Sequence, residues 1–268
     1  MKIHINGNEY TLADGALSGD GADLVKPDAD IIIHNGFIAG RQSALHDGDT
    51  LSLIKRGELP TEEEMRTLIY SRHTPKVADR MAKCRIAVCG LGGLGSNIAL
   101  NLARMGVGSL LLIDFDVVEP SNLNRQQFYV DQIGMKKTEA TLANLKRVNP
   151  YIEYDVRDLY ITKENVPGLF DGCDVIIEAF DSAANKAMLI PAAANCYPDA
   201  YVIGASGVAG LGSYKEFRVV KAGKSVHIVG DFTSEAAVGR GLMATRVVIA
   251  AGIQANLAVR LVLGETEA

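Results

Sequence analysis

The run Cys84-Arg-Ile-Ala-Val-Cys-Gly-Leu-Gly-Gly-Leu-Gly-Ser96 constrains the fold of this chain more than any other stretch. An apolar strand over Ile86, Ala87 and Val88 enters Gly90, Gly92, Gly93 and Gly95, and an apolar-faced helix follows at once. The spacing Gly90-x-Gly92-x-x-Gly95 lets a backbone turn tightly against a phosphate and aims the positive end of a helix at it. Nineteen residues past Gly95, a second apolar strand (Leu110 to Ile113) ends in Asp114, placed to accept hydrogen bonds from ribose hydroxyls. The pattern predicts an α/β domain with a mostly parallel, doubly wound sheet and an adenine nucleotide at its glycine turn. A glycine fingerprint alone also marks a nicotinamide dehydrogenase, or a tight turn with no ligand. Residues beyond it have to decide.

With 268 residues the chain holds one large domain, or a medium domain and a small one. A net charge of -5 argues against a nucleic-acid partner, for which a basic patch is expected. No stretch reads as the ~18 consecutive apolar residues of a membrane span. The opening Met1-Lys-Ile-His-Ile-Asn6 has no apolar signal core. A cytoplasmic protein without a membrane partner is therefore expected. Cys84, Cys89, Cys173 and Cys196 are scattered and form no Cys-x-x-Cys pair, so no zinc is expected.

Along the chain, Ile3, Ile5, Asn6-Gly7, Tyr10 and Leu12 predict a hairpin. Residues 13–30 are rich in Gly and Asp and read as loop with little helix. Ile31–Ile33 and Leu51–Ile54 read as strands, with His46-Asp-Gly-Asp49 turning before the second. Thr61 as N-cap and Glu64 as its capping-box partner open a helix, and Thr74-Pro75 ends it before a short second one. From Cys84 onward strands and helices alternate: helix 94–105, strand 109–113, helix 136–148, strand 152–156, strand 173–179, helix 183–195 and strand 201–205. That is the βαβ signature of a parallel sheet. Residues 214–220 and 225–229 then read as a hairpin or an edge pair, and 236–262 as a long apolar helix.

Past Asp114 comes Phe-Asp-Val-Val-Glu-Pro-Ser-Asn-Leu-Asn-Arg-Gln126, and then Gly134-Met-Lys-Lys137. Arg125 and Lys137 have no use in a dehydrogenase, but a site handling a triphosphate needs cations where charge builds on departing pyrophosphate. Strand Val175 to Phe180 delivers Asp181 at its carboxyl end, where open α/β sheets bind ligands. One carboxylate there suits Mg²⁺ shared with phosphates, or the N-cap of the next helix, or both.

The glycine turn, Asp114-Phe-Asp116, Ser121-Asn122-Leu-x-Arg125-Gln126, Gly134-x-Lys-Lys137, Phe180-Asp181 and Gly241-Leu-Met-Ala-Thr-Arg246…Gln254-Ala-Asn256 together resemble the ThiF/MoeB/HesA family, relatives of ubiquitin-activating enzymes. The resemblance covers residues 62–268. It implies a Rossmann-like adenylation domain in a homodimer that uses ATP and Mg²⁺ to adenylate the C-terminal glycine carboxylate of a ubiquitin-like sulfur carrier ending in Gly-Gly. By it Asp114 and Asp116 join Gly90, Gly92, Gly93 and Gly95 in holding the nucleotide. Asn122, Arg125 and Lys137 take the phosphates, and Asp181 takes the metal. Tyr70-Ser-Arg72 resembles the family's N-terminal segment, whose arginine enters the partner subunit's site. The chemistry needs no general base, because a carboxyl group of pKa about 3.5 is ionised at neutral pH. The five histidines form no evident catalytic set.

Two features depart from the family. The zinc-binding Cys pairs are missing, and residues 205–240 hold no cysteine, which leaves adenylation in place but removes the usual source of a covalent sulfur relay. Residues 1–58 resemble the small β-grasp carrier ThiS, yet continue through Lys55-Arg-Gly57 into further chain, so they offer no free Gly-Gly carboxylate. The expected layout is a β-grasp module over 1–58, a helical linker bearing Arg72 over 59–83 and the ATP-binding domain over 84–268. Thiamine biosynthesis is the expected setting. A molybdopterin-type carrier, a tRNA base, or carrier binding without catalysis are the alternatives.

Overall fold

In the computed structural model, which describes residues 1–265, β1 (Lys2–Ile5) and β2 (Asn8–Thr11) pair antiparallel around Asn6 and Gly7. Both turn residues take positive φ, 48° and 93°, as a two-residue hairpin of the right twist demands. Helix α1 (Ser18–Val25) follows, where loop was expected. Its glycines explain the miss. A Cβ on Gly21 would lie 2.8 Å from Leu51 Cδ1, and one on Gly19 2.8 Å from the Arg41 carbonyl oxygen. The residues that weaken the helix by propensity are the ones that let it lie on the strands, and packing outweighs propensity here.

β3 (Ile31–His34) and β4 (Phe37–Ala39) close a second Asn-Gly hairpin, at Asn35 and Gly36. With β5 (Thr50–Ile54) the sheet order is β2-β1-β5-β3-β4, and β1 and β5 run parallel at its centre. This is the β-grasp arrangement. Ile3, Ile5, Ala22, Ile32, Leu45, Leu51 and Leu53 form its core. Helix α2 (Glu62–Leu68) starts as expected: Thr61 Oγ1 accepts from Glu64 N at 3.3 Å, and Glu64 Oε2 from Thr61 N at 3.1 Å. Helix α3 (Pro75–Met81) follows. The chain divides into two compact units, Met1–Asp79 and Arg80 onward, so residues 59–79 of the expected linker group with the first.

In the second unit β6 (Arg85–Cys89), α4 (Gly93–Met105), β7 (Ser109–Asp114), α5 (Lys137–Val148) and β8 (Glu153–Asp158) run in βαβ order. β9 (Val175–Glu178), α6 (Ala183–Cys196), β10 (Tyr201–Ala205), β11 (Arg218–Lys221), β12 (Val226–Gly230) and α7 (Ala244–Leu263) complete it. The sheet order is β11-β12-β10-β9-β6-β7-β8, parallel throughout except for β11 at the edge. Strand order reverses between β6 and β9, the crevice where such sheets bind ligands. Two boundaries differ from expectation. Residues 214–216 form a short 3₁₀ turn ahead of β11, and residues 236–243 stay irregular because Gly239 adopts φ 77°. The last three residues of the expected 84–268 domain lie outside the described residues.

Helix α7 corrects the expectation that no membrane-length apolar segment exists, since its length and composition are sufficient for one. It packs along α4 and against β10, with Arg246 and Gln254 buried on it.

Gly21→Val tests the close approach of α1. It is expected to lower stability by about 1–3 kcal/mol through overpacking. Gly40→Ala, whose Cβ would meet nothing within 4 Å, should stay within about 0.5 kcal/mol. Urea titration of the full chain by circular dichroism checks both, and an unchanged midpoint for Gly21→Val would show that α1 does not need the contact.

Candidate active site

The phosphate turn is built by contact between backbones. Gly90 adopts φ 92°, its N–H donates to the Ile113 carbonyl at 2.8 Å, and a Cβ there would meet the Ala179 carbonyl oxygen at 2.9 Å. A Cβ on Gly95 would lie 1.7 Å from the Gly90 carbonyl oxygen, so the first turn of α4 rests directly on the loop. Gly92 caps α4 without a side chain, which leaves the first-turn N–H groups to a ligand. Asp114, nearly buried at the end of β7, accepts from Leu91 N at 2.6 Å and from Asp116 N at 2.8 Å. Its carboxylate thereby ties the glycine turn to the strand that carries it.

A cleft of about 590 Å³ opens over these strand ends. Gly90, Gly92, Gly93, Asp114, Asp116, Arg125, Lys137 and Asp181 all line it. Lys137 is buried, with Nζ 2.8 Å from Asp116 Oδ2. Arg125 is half-buried and donates to the Ser121 carbonyl at 3.1 Å and to Asn124 Oδ1 at 2.8 Å. Asp181 is exposed, and its carboxylate has no hydrogen-bond or ion-pair partner among the described residues. Its N-cap alternative falls, because Ser182 Oγ takes that role by accepting from Asn185 N at 3.4 Å.

Three expected site residues do not line the cleft. Gly95 supports the turn from behind. Asn122 closes the turn before Arg125: its Oδ1 accepts from Glu119 N at 3.1 Å, and its carbonyl from Arg125 N and Gln126 N at 3.1 and 2.9 Å. Arg72 belongs to the first unit, where it is exposed and unpartnered among the described residues.

Other residues come to the cleft that sequence reasoning passed over. Phe115 and Tyr160 meet edge to face at 4.9 Å between centroids, an apolar wall beside Asp114. Gln126 also lines the cleft, and its enclosed Oε1 has no partner among the described residues. Glu178, fully buried and outside the cleft lining, accepts from Phe180 N at 2.6 Å, from Ala205 N at 3.2 Å and from Lys186 Nζ at 2.8 Å. Burial pushes its carboxyl above the usual range, opposed by Lys186. Gln254 Nε2 donates to the Glu178 carbonyl at 3.3 Å.

Ser206, Gly207, Ala209, Phe232, Glu235 and Ala236 line the cleft as well. Asp231 and Arg246, both buried, form an ion pair behind it, and Arg246 also donates to the carbonyls of Gly212 and Ser213. Burial alone would raise the Asp231 carboxyl, but N–H donors of Ser234 and Thr233 and the Arg246 guanidinium outweigh it and hold the carboxyl well below the usual range. The motif around Gly241–Arg246 and Gln254 was visible in sequence, while its partners Asp231 and Glu178 carry no local signal.

No histidine or cysteine lines the cleft among the described residues. Cys84 and Cys89 are buried, and burial pushes the Cys84 thiol up to about 11 and raises that of Cys89. A divalent cation would find two carboxylates in the lining without a partner among the described residues, Asp181 and Glu235, and no cluster of three ligating side chains among those residues. Such a donor set fits Mg²⁺ that takes its remaining ligands from phosphates and water.

Residues 66–268 match the ThiF family and residues 1–57 the ThiS-like ubiquitin family. The chain is 35% identical over 127 residues to the SAMP-activating enzyme E1 of Haloferax volcanii, covering 45% of this chain and 47% of that protein. It is 38% identical over 120 residues to the tRNA threonylcarbamoyladenosine dehydratase of Haemophilus influenzae, covering 44% of this chain and 46% of that one. The chain thus spans about half the length of these relatives. The structure of the E. coli tRNA N6-threonylcarbamoyladenosine dehydratase in complex with ATP shares the fold, with a TM-score of 0.67 at 24% identity over 78% of this chain and 98% of that one.

Asp231→Ala is expected to cost about 3–5 kcal/mol, because it leaves buried Arg246 only the exposed Glu216, 3.4 Å away, as a counter-charge. The depressed carboxyl also sets a pH dependence. Its contribution is complete above the unfolded-state carboxylate pKa and is lost only as pH falls through the lower native value. The stability gap between wild type and Asp231→Asn should therefore hold from about pH 7 to about pH 5. Denaturant titrations at the two pH values check it, and a gap that closes between them would contradict the assignment.

Proposed function

Because the chain belongs to the ThiF family, with a ThiS-like ubiquitin domain ahead of it, we propose that it is an ATP-dependent adenylyltransferase for the C-terminal glycine carboxylate of a ubiquitin-like sulfur carrier. The observation that carries this reading is the convergence of Arg125, Lys137 and the unpartnered Asp181 on a cleft that also holds the glycine turn and Asp114. A carboxylate oxygen of the substrate attacks the α-phosphorus of ATP. The bond from that phosphorus to the bridging oxygen breaks, and pyrophosphate leaves with the electron pair. The nucleophile arrives ionised, so positioning and charge neutralisation supply the catalysis.

In this reading Gly90, Gly92 and Gly93 offer backbone to the phosphates and Asp114 takes the ribose. Lys137, held in place by Asp116, and Arg125 offset charge on the departing pyrophosphate. Asn122 acts through Arg125 and Gln126, whose N–H groups it fixes. Asp181 would hold Mg²⁺, which when bound supplies charge neutralisation at the phosphates. The small side chains of Ser206, Gly207, Ala209 and Ala236 in the lining suit an unbranched Gly-Gly tail. The fused ThiS-like domain favours a carrier of that fold, and with it sulfur delivery for thiamine. Homodimerisation, with Arg72 acting on the partner's phosphates, belongs to the same proposal.

A second reading keeps the chemistry and changes the acceptor. Relatives named tRNA threonylcarbamoyladenosine dehydratase favour a carboxylate on a tRNA base. The net charge of -5 weighs against it. ATP–pyrophosphate exchange with Gly-Gly-ended carriers and with bulk tRNA separates the two.

Asp181→Ala should lower exchange by about a thousandfold or more while ATP still binds, as loss of a transition-state contact does. Wild-type exchange in that variant would remove the metal assignment. Arg72→Ala and Asp181→Ala, each nearly inactive, should regain up to about a quarter of wild-type activity when mixed and allowed to exchange subunits, since half of random dimers then hold one intact site. No recovery, with exchange verified by mass, would contradict action across the dimer.

A further inference from the structure

The β-grasp module has no free carboxylate to activate, and it holds a segment that the proposed chemistry needs. Both of its Asn-Gly turns close on residues 61–75. A Cβ on Gly7 would lie 2.6 Å from Thr67 Oγ1, so the first turn sits directly on α2. A Cβ on Gly36 would lie 2.9 Å from Thr74 Cγ2 and 3.1 Å from its backbone nitrogen, so the second turn sits on the residue before α3. Thr74 has φ 66°, a conformation that a β-branched residue adopts only where its surroundings impose it.

A buried polar link joins the first turn to α2 as well. Asn6 is 2% exposed, and its Oδ1 accepts from Leu53 N at 2.8 Å. Its Nδ2 donates to Glu64 Oε1 at 3.1 Å, and Glu64 Oε2 accepts from Thr61 N at 3.1 Å. One side chain therefore connects hairpin, central strand and helix cap. Between the two pinned threonines the backbone turns continuously, with Tyr70 N donating to Thr67 O at 3.1 Å, Ser71 N to Leu68 O at 3.2 Å and His73 N to Tyr70 O at 2.8 Å. Arg72 stands in that span, exposed and without a partner among the described residues.

We infer that the fused β-grasp module is a positioning device: its two Asn-Gly turns clamp residues 67 and 74 so that Arg72 between them is presented in a fixed direction. The inference rests on the proposed phosphate role of Arg72 and adds what the module does for it. An arginine held by a folded module loses less side-chain and backbone freedom on meeting a phosphate than one on a loose linker, which strengthens binding without a new contact. Asn6, Glu64 and Thr67 are then positioning residues for a site they do not touch.

The test measures Kd for α,β-methylene-ATP by calorimetry in the full-length protein, with AMP as control. Thr67→Leu keeps the capping box and favours helix, but removes the seat for Gly7. Glu64→Ala cuts the link to Asn6. Arg72→Ala is expected to weaken the triphosphate analogue about tenfold, as loss of a charge-assisted hydrogen bond does, and AMP less than about twofold. Each seating variant should weaken the analogue at least about threefold, spare AMP, and add nothing in an Arg72→Ala background. Hydrogen exchange across residues 65–73 should speed up in both.

Faster exchange with a wild-type Kd overturns the inference and leaves the role of Arg72 standing. Full additivity in the double variant, or unchanged exchange in both seating variants, overturns it too. A wild-type Kd in Arg72→Ala overturns the phosphate role of Arg72 and this inference with it.

Discussion

A carbon at position 95 would stand 1.7 Å from the Gly90 carbonyl oxygen, and the candidate site depends on the backbone contact that this forbids to any other residue. The contact lets α4 begin directly on the loop, with its N–H groups and positive dipole end facing the crevice between β6 and β9. Asp114 locks the same loop from below through Leu91 N and Asp116 N. Asp116 in turn holds Lys137, the first residue of α5. The glycine turn and a buried cation are therefore joined by a chain of short contacts, the last of them through the exposed side chain of Asp116.

The opposite wall is held by buried charge. Glu178 ties β9 to β10 through Ala205 N and braces the turn before Asp181 through Phe180 N, while Lys186 offsets its charge. Asp231 and Arg246 tie the segment after β12 to α7 and to the loop at Gly212. Buried pairs of this kind add little net stability, but each fixes a geometry because breaking one is costly. Here both fix segments that line the cleft. Asp181, braced but not itself engaged, is left free to meet a ligand.

The doubly wound sheet was legible because β6, β7, β9 and β10 are continuous apolar runs separated by helical periods, and the glycine turn set their direction. Asn6-Gly7 and the Thr61–Glu64 box were legible because each is a local motif with its own geometry. Helix α1 was not, since its glycines answer to Leu51 and Arg41, residues far along the chain. Strand β4 was missed although Asn35-Gly36 carries the same signal as Asn6-Gly7; at three residues it gave no alternation to count. In the site, Arg125, Lys137 and Asp181 could be found because they follow strand ends in order. The partners of Arg246 and Gln254 could not, because only the fold brings Asp231 and Glu178 to them.

In the proposed function a carboxylate oxygen of the acceptor attacks the α-phosphorus of ATP in this cleft. Labelling the carboxylate of a Gly-Gly-ended carrier with oxygen-18 tests it most directly. A nucleophile that later takes the acyl group leaves the former carboxylate oxygen on phosphorus, so AMP bearing one labelled oxygen is expected. Unlabelled AMP, formed with turnover of the carrier, would contradict it.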